Sequence, residues 1–207
     1  MQRTQPLSTR LRQIALIAEN LDKTTDQLTT VLGVEVIYSD PTVEQWGLKN
    51  VMLPIGGDMI EIVSPFEPNT TVSRLLAKRG DGGYMIIMQT SDAVAQRSVI
   101  PELDSHAVTP ANPFPLHDRF SPWHALGPSS NYPAYSEKMR KYSYLRFLSL
   151  ACRLAPGDED IAGAEAQWQE SFSIGKRRDG GCEFVNGVKL NLLPGREGVK
   201  DGLTEVF

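Results

Sequence analysis

Two stretches govern how this chain folds: Gln13-Ile-Ala-Leu-Ile-Ala-Glu-Asn20 and Met85-Ile-Ile-Met-Gln-Thr-Ser-Asp92. Each opens on a polarisable side chain, runs on as an apolar strand, and closes on an Asx residue that can cap a following helix. Between them lies Ile60-Glu61-Ile62-Val63-Ser64-Pro65, an apolar strand with one acidic residue inside it. A buried carboxylate is costly unless it is paired or bound to a metal. A restarted strand and a strand-borne Glu61 therefore raise the question of a metal or acid/base site.

Leu11 to Ala18 is a nearly continuous apolar run, as in a strand covered on both faces or lining a barrel. A helix comes next with Leu21, Leu28, Val31 and Leu32 on one face, and Gly33 as its C-cap. Val34 to Ser39 reads as a strand broken by Asp40-Pro41. Trp46 to Pro54 reads as the next, and Gly56-Gly57-Asp58 as a hairpin turn into Met59 to Val63. The order is βαβββ. Thr70 to Arg79 is a short helix buried through Val72, Leu75 and Leu76, and a glycine-rich turn leads to a second unit at Tyr84. That unit is shortened: after a helix starting near Asp92, only one further strand, Val99 to Leu103, can be found.

His106 to Tyr135 is rich in proline and aromatic residues and reads as an irregular connecting arm. A third block then repeats the first, with strands at Leu145 to Leu154, Cys182 to Asn186 and Val188 to Leu193, and a helix at Ile161 to Phe172. Aligning Gly187 on Gly57 places Asn191 where Glu61 stood. Asp201 to Phe207 resembles Asp81 to Ile87, a fourth unit begun and cut short. The expected organisation is a domain over residues 11–105, an arm over 106–142 and a partial second domain over 143–207. The fold class is α+β.

The chain has 207 residues, 41% hydrophobic and 22% charged, with a net charge of −4. These values suit a globular chain and point away from nucleic acid. No run approaches the ~18 apolar residues of a membrane span. Met1 to Arg10 shows no apolar core of a secretory signal, so a cytoplasmic location is expected. The two cysteines, Cys152 and Cys182, read as reduced packing residues. His106, His117 and His124 all fall in the arm and read as loop or surface residues.

A βαβββ unit restarted after a glycine-rich turn resembles the vicinal oxygen chelate superfamily of glyoxalases, methylmalonyl-CoA epimerase, extradiol dioxygenases and bleomycin-resistance proteins. The residues that carry the resemblance are Gln13 to Ala18 with Asn20, Asp58 to Pro65, and Lys78 to Met88. The resemblance implies units paired into a cupped half-barrel, with inward side chains of first and last strands holding a divalent metal. It puts Gln13 and Glu61 at the first two ligand positions, Met85 at a third where histidine is usual, and Glu102 at the fourth. Two carboxylates and an amide oxygen suit Mg²⁺, Mn²⁺ or Zn²⁺; a thioether does not.

The resemblance implies a small-molecule enzyme. Its metal would chelate neighbouring substrate oxygens as a Lewis acid while Glu61 or Glu102 moves a proton, in isomerase, epimerase or lyase chemistry. The alternatives are a non-catalytic small-molecule binder on the same fold, or an inactive truncated family member. An incomplete second unit leaves a strand edge, so a homodimer is expected.

Overall fold

The computed structural model describes residues 8–90, 92, 96 and 127–207. Val99 to Leu103, with Glu102, and the three histidines lie outside the described residues. The chain is α+β and forms two compact units, Arg12–Ile87 with Arg119–Phe147, and Met1–Leu11 with Met88–Asp118 and Leu148–Phe207.

The first sheet has the order β2-β3-β1-β4, from β1 (Thr9–Ile17), β2 (Leu48–Ile55), β3 (Asp58–Pro65) and β4 (Gly82–Thr90). β1 runs parallel to β3 with Ala15 opposite Glu61, and β2 is antiparallel to β3 with Met52 opposite Glu61. A two-residue turn joins β2 to β3; Gly56 adopts φ 61°, which a side chain would resist. Pro54 is tolerated because β2 is an edge strand.

Helix α1 (Leu21–Leu32) is capped by the Asn20 side chain, which accepts from Lys23 N–H, and ends on a left-handed Gly33. Val31 is 81% exposed, against the expected apolar face. At 100° per residue it falls about 80° from the line through Leu21, Leu28 and Leu32. The strand expected over Val34 to Ser39 is reduced to one bridge, Tyr38 to Met52. Asp40 instead caps a 3₁₀ helix over Pro41–Trp46, since Pro41 offers no donor for a ladder.

The end of the expected arm is helical. α3 spans Tyr132–Arg140, with Pro133 in its first turn, where a missing N–H costs nothing. Its Met139 is buried with Ile37, Met52 and Met59, and Tyr38, Ile87, Tyr132 and Tyr135 pack around them. A second cluster joins Ile17, Val63 and Val72 of α2 (Thr71–Arg79) with Leu48, Leu75, Leu76 and Tyr84.

The second sheet has the order β6-β7-β8-β5-β9, from β5 (Ser149–Arg153), β6 (Gly175–Lys176), β7 (Cys182–Glu183), β8 (Lys189–Leu193) and β9 (Gly202–Val206). Helix α4 (Ile161–Phe172) lies between β5 and β6 in sequence, capped by the Asp160 side chain on Gly163 N–H. β5 is parallel to β8 with Ala151 opposite Asn191, and antiparallel to β9. The repeat of Gly57 in Gly187 is therefore in true register, and Asn191 holds the strand position of Glu61.

Candidate functional site

Glu61 is the one carboxylate inside the run Met59 to Val63, and the strand period of two puts it on the face shared by those two residues. Met59 belongs to the first apolar cluster and Val63 to the second. Glu61 sits in the gap between them, 7% exposed. Sequence alternation cannot show this, because β3 is buried along almost its whole length.

Two amides meet the carboxylate. Gln13 of β1 donates from Nε2 to Oε2 at 2.6 Å, and Asn50 of β2 donates from Nδ2 to Oε1 at 2.6 Å. Both amides are buried. Asn50 is held in turn by the backbone N–H of Asp40, which donates to its Oδ1 at 2.9 Å. Gln13 Oε1 is buried with no hydrogen-bond partner. Burial pushes the Glu61 carboxyl above the usual carboxylate range; the two amide donors oppose that rise, and the charge of Asp40 adds to it. Burial, and then the negative charge of Glu61, push the Tyr84 phenol up.

Gln13 and Glu61, singled out by sequence, are thus in direct contact. Met85 is 40% exposed and stands in neither cluster around the pair. Its neighbour Tyr84 packs against the cluster of Ile17, Val63 and Val72, of which Ile17 and Val63 share the strand face of Glu61. Glu102 lies outside the described residues. Asn50 escapes the sequence reading. Its signal is a lone amide in the strand Trp46 to Pro54, on a strand next to the one bearing Glu61. Both cysteines are free and buried, and burial pushes the Cys152 thiol up to about 11.

In the second sheet, Asn191 accepts from Arg177 Nη1 at 2.9 Å, and Arg177 forms a two-point ion pair with Asp179. The position of Glu61 is there filled by an amide with a cation already upon it.

Residues 14–174 match the family described as glyoxalase-like domain. This chain belongs to the glyoxalase-like domain family. The vicinal oxygen chelate resemblance carried by Gln13 to Ala18 and Asp58 to Pro65 is borne out by that membership. Solved structures similar to this family member include a hypothetical protein from Bacillus halodurans, 18% identical over 44% of this chain, with a TM-score of 0.40. The chain spans 64% of that protein. A Streptomyces coelicolor methylmalonyl-CoA epimerase in complex with 2-nitronate-propionyl-CoA is 25% identical over 49% of this chain and 74% of its own, with a TM-score of 0.43. The methylmalonyl-CoA epimerase of Mycobacterium tuberculosis is 19% identical over 48% of this chain and 67% of its own, with a TM-score of 0.41. No curated protein matches the chain.

The superfamily implies a divalent metal, and the first sheet can be tested for one. Among the described residues no three His, Cys, Asp or Glu side chains gather to hold an ion. Gln13 and Glu61 nonetheless fit as part of a ligand set. Gln13 Oε1 is a buried acceptor without a donor, and each Glu61 oxygen keeps a lone pair beyond its one amide bond. Oxygen donors of this kind suit a hard cation. No helix among the described residues is long and apolar enough to cross a membrane.

Proposed function

We propose that this chain is a small-molecule enzyme of isomerase or epimerase type, with Glu61 as the proton-transferring group and Gln13 as its partner. The observation that carries the reading is a carboxylate buried between two apolar clusters beside an unpartnered amide oxygen. A carboxyl raised by burial is a better base toward a carbon acid than a solvated one, because its basicity lies nearer neutral pH.

Gln13 and Glu61 are the residues that would hold a divalent ion, Mg²⁺, Mn²⁺ or Zn²⁺, which when bound acts as a Lewis acid on neighbouring substrate oxygens. Gln13 fixes one carboxylate oxygen through its amide and keeps its own oxygen without a hydrogen-bond partner, available as a donor atom to an ion. Met52 and Met59, flanking Glu61 across and along the strands, keep bulk water from the carboxylate.

One observation favours a second reading, a metal-free binding protein on the same fold. Both Glu61 oxygens already carry an amide donor, so the carboxylate is satisfied without an ion. Metal loading separates the two. The enzyme reading expects Mn²⁺ uptake that Glu61→Gln abolishes; less than about a tenth of an equivalent after loading sinks the metal-dependent form. A stabilising thermal shift with unloaded protein and an uncharged metabolite would then support the binder. Solvent deuterium incorporation at the carbon next to a carbonyl, across a panel of acyl and hydroxycarbonyl compounds, tests the proton transfer itself. Incorporation that is equal in the parent and Glu61→Gln would remove Glu61 from that role.

A further inference from the structure

The carboxylate of Glu61 is gripped from two strands, and the grips differ. Gln13 has an end to spare, since its buried Oε1 has no hydrogen-bond partner. Asn50 has none: its Oδ1 takes the N–H of Asp40 at 2.9 Å while its Nδ2 reaches Glu61 at 2.6 Å. An amide whose oxygen is fixed by a backbone donor can present only its NH₂ to the other side. Asp40 is itself held, because its side chain caps Thr42 at the start of the 3₁₀ helix and its backbone leaves the Tyr38 bridge. The orientation of Asn50 is therefore set by main chain, and that of Glu61 by Asn50.

We propose that Asn50 is the positioning residue of this site: it pins Oε1 of Glu61 and leaves Oε2, beside Gln13, as the working edge of the carboxylate. The assignment rests on Glu61 being the functional carboxylate. The consequence is directional. Without the Asn50 donor, the carboxylate keeps only the hydrogen bond from Gln13, and its orientation relative to the Gln13 oxygen is no longer fixed from both sides. Supporting groups of this kind, one step removed from a ligand, typically set metal affinity over ~10–100-fold.

Two measurements on the whole chain test this. The first is an infrared difference spectrum of ¹³C-glutamate-labelled protein, with the Glu61 carboxylate band assigned by subtracting the Glu61→Gln spectrum. The band shifts in Asn50→Leu, because one of its two donors is gone; an unmoved band overturns the proposal. The second is Mn²⁺ affinity. Asn50→Leu loses at least about tenfold, whereas an affinity within about twofold of the parent also overturns it. Asn50→Ala deletes the donor without adding a charge or bulk, and carries the infrared test if Asn50→Leu does not fold. If the parent takes up no Mn²⁺, the metal reading fails by itself, and the band position alone decides the role of Asn50.

Discussion

Glu61 couples the site to pH. Its carboxyl is raised above the ordinary value of 4.5 by burial, so it binds its proton more tightly folded than unfolded. Its contribution to stability is then full below the unfolded value and is lost as pH rises through the folded one. Glu61→Gln removes that loss. The variant is expected to gain melting temperature relative to the parent as pH rises above about 4.5 and to show no growing advantage below it. Paired thermal melts across that range check the sign; a difference that does not change with pH contradicts it. Cys152 makes a second prediction at this scale. Its buried thiol, pushed up to about 11, stays unlabelled by iodoacetamide in native protein and is labelled only after unfolding. Mass spectrometry of native and denatured samples reads this directly.

Among the elements, helix α3 shows where reading by composition ends. Proline and aromatic residues around Tyr132 to Tyr135 suggest an irregular arm. The same residues instead start a helix whose Met139 is 2% exposed among Ile37, Met52 and Met59. Tyr135 meets Tyr38 edge-on with ring centroids 5.3 Å apart. Met139→Ala is expected to cost about 2–5 kcal/mol in denaturant unfolding, the range for a buried methionine truncated to alanine. A cost under about 0.5 kcal/mol, the level of a surface change, would mean the helix does not seal this cluster. The elements best read from sequence are α4, found over the expected Ile161 to Phe172, and the β2–β3 hairpin with its glycine turn. Strong caps and turn residues act locally, so they survive without tertiary context. Val34 to Ser39 departs from expectation for the converse reason: its alternation is adequate, but Pro41 and the Asp40 cap end the ladder after one bridge.

Among the described residues one strand arrangement recurs, β1 parallel to β3 with β2 antiparallel to β3, and β5 parallel to β8 with β7 antiparallel to β8; the first presents a carboxylate, Glu61, at the central position. The other copy places Asn191 there under Arg177. Gly181 makes the room. A Cβ at that position would lie 2.9 Å from Leu190 O and 3.3 Å from Arg177 Nη1, at a backbone φ of +79°. Ion uptake should therefore depend on Glu61 and not on Asn191. Asn191→Ala is expected to keep Mn²⁺ affinity within about twofold, since its ligand atom is already engaged; a larger loss would place the ion in the second sheet.

The α+β class, the internal repeat, most of the βαβββ order and the choice of Gln13 and Glu61 as candidates are legible in the residues alone. They come from hydrophobic periodicity, turn residues and a carboxylate standing in an apolar strand, all of which act over a few neighbours. Three further features emerge only once the chain is folded: Asn50 grips Glu61, Tyr84 rather than Met85 packs against the cluster of Ile17, Val63 and Val72, and Met139 closes the apolar cluster of Met52 and Met59. Strand register sets such choices, and register arises from pairings between residues far apart in the chain, where shifting a strand by one residue turns every side chain to the other face.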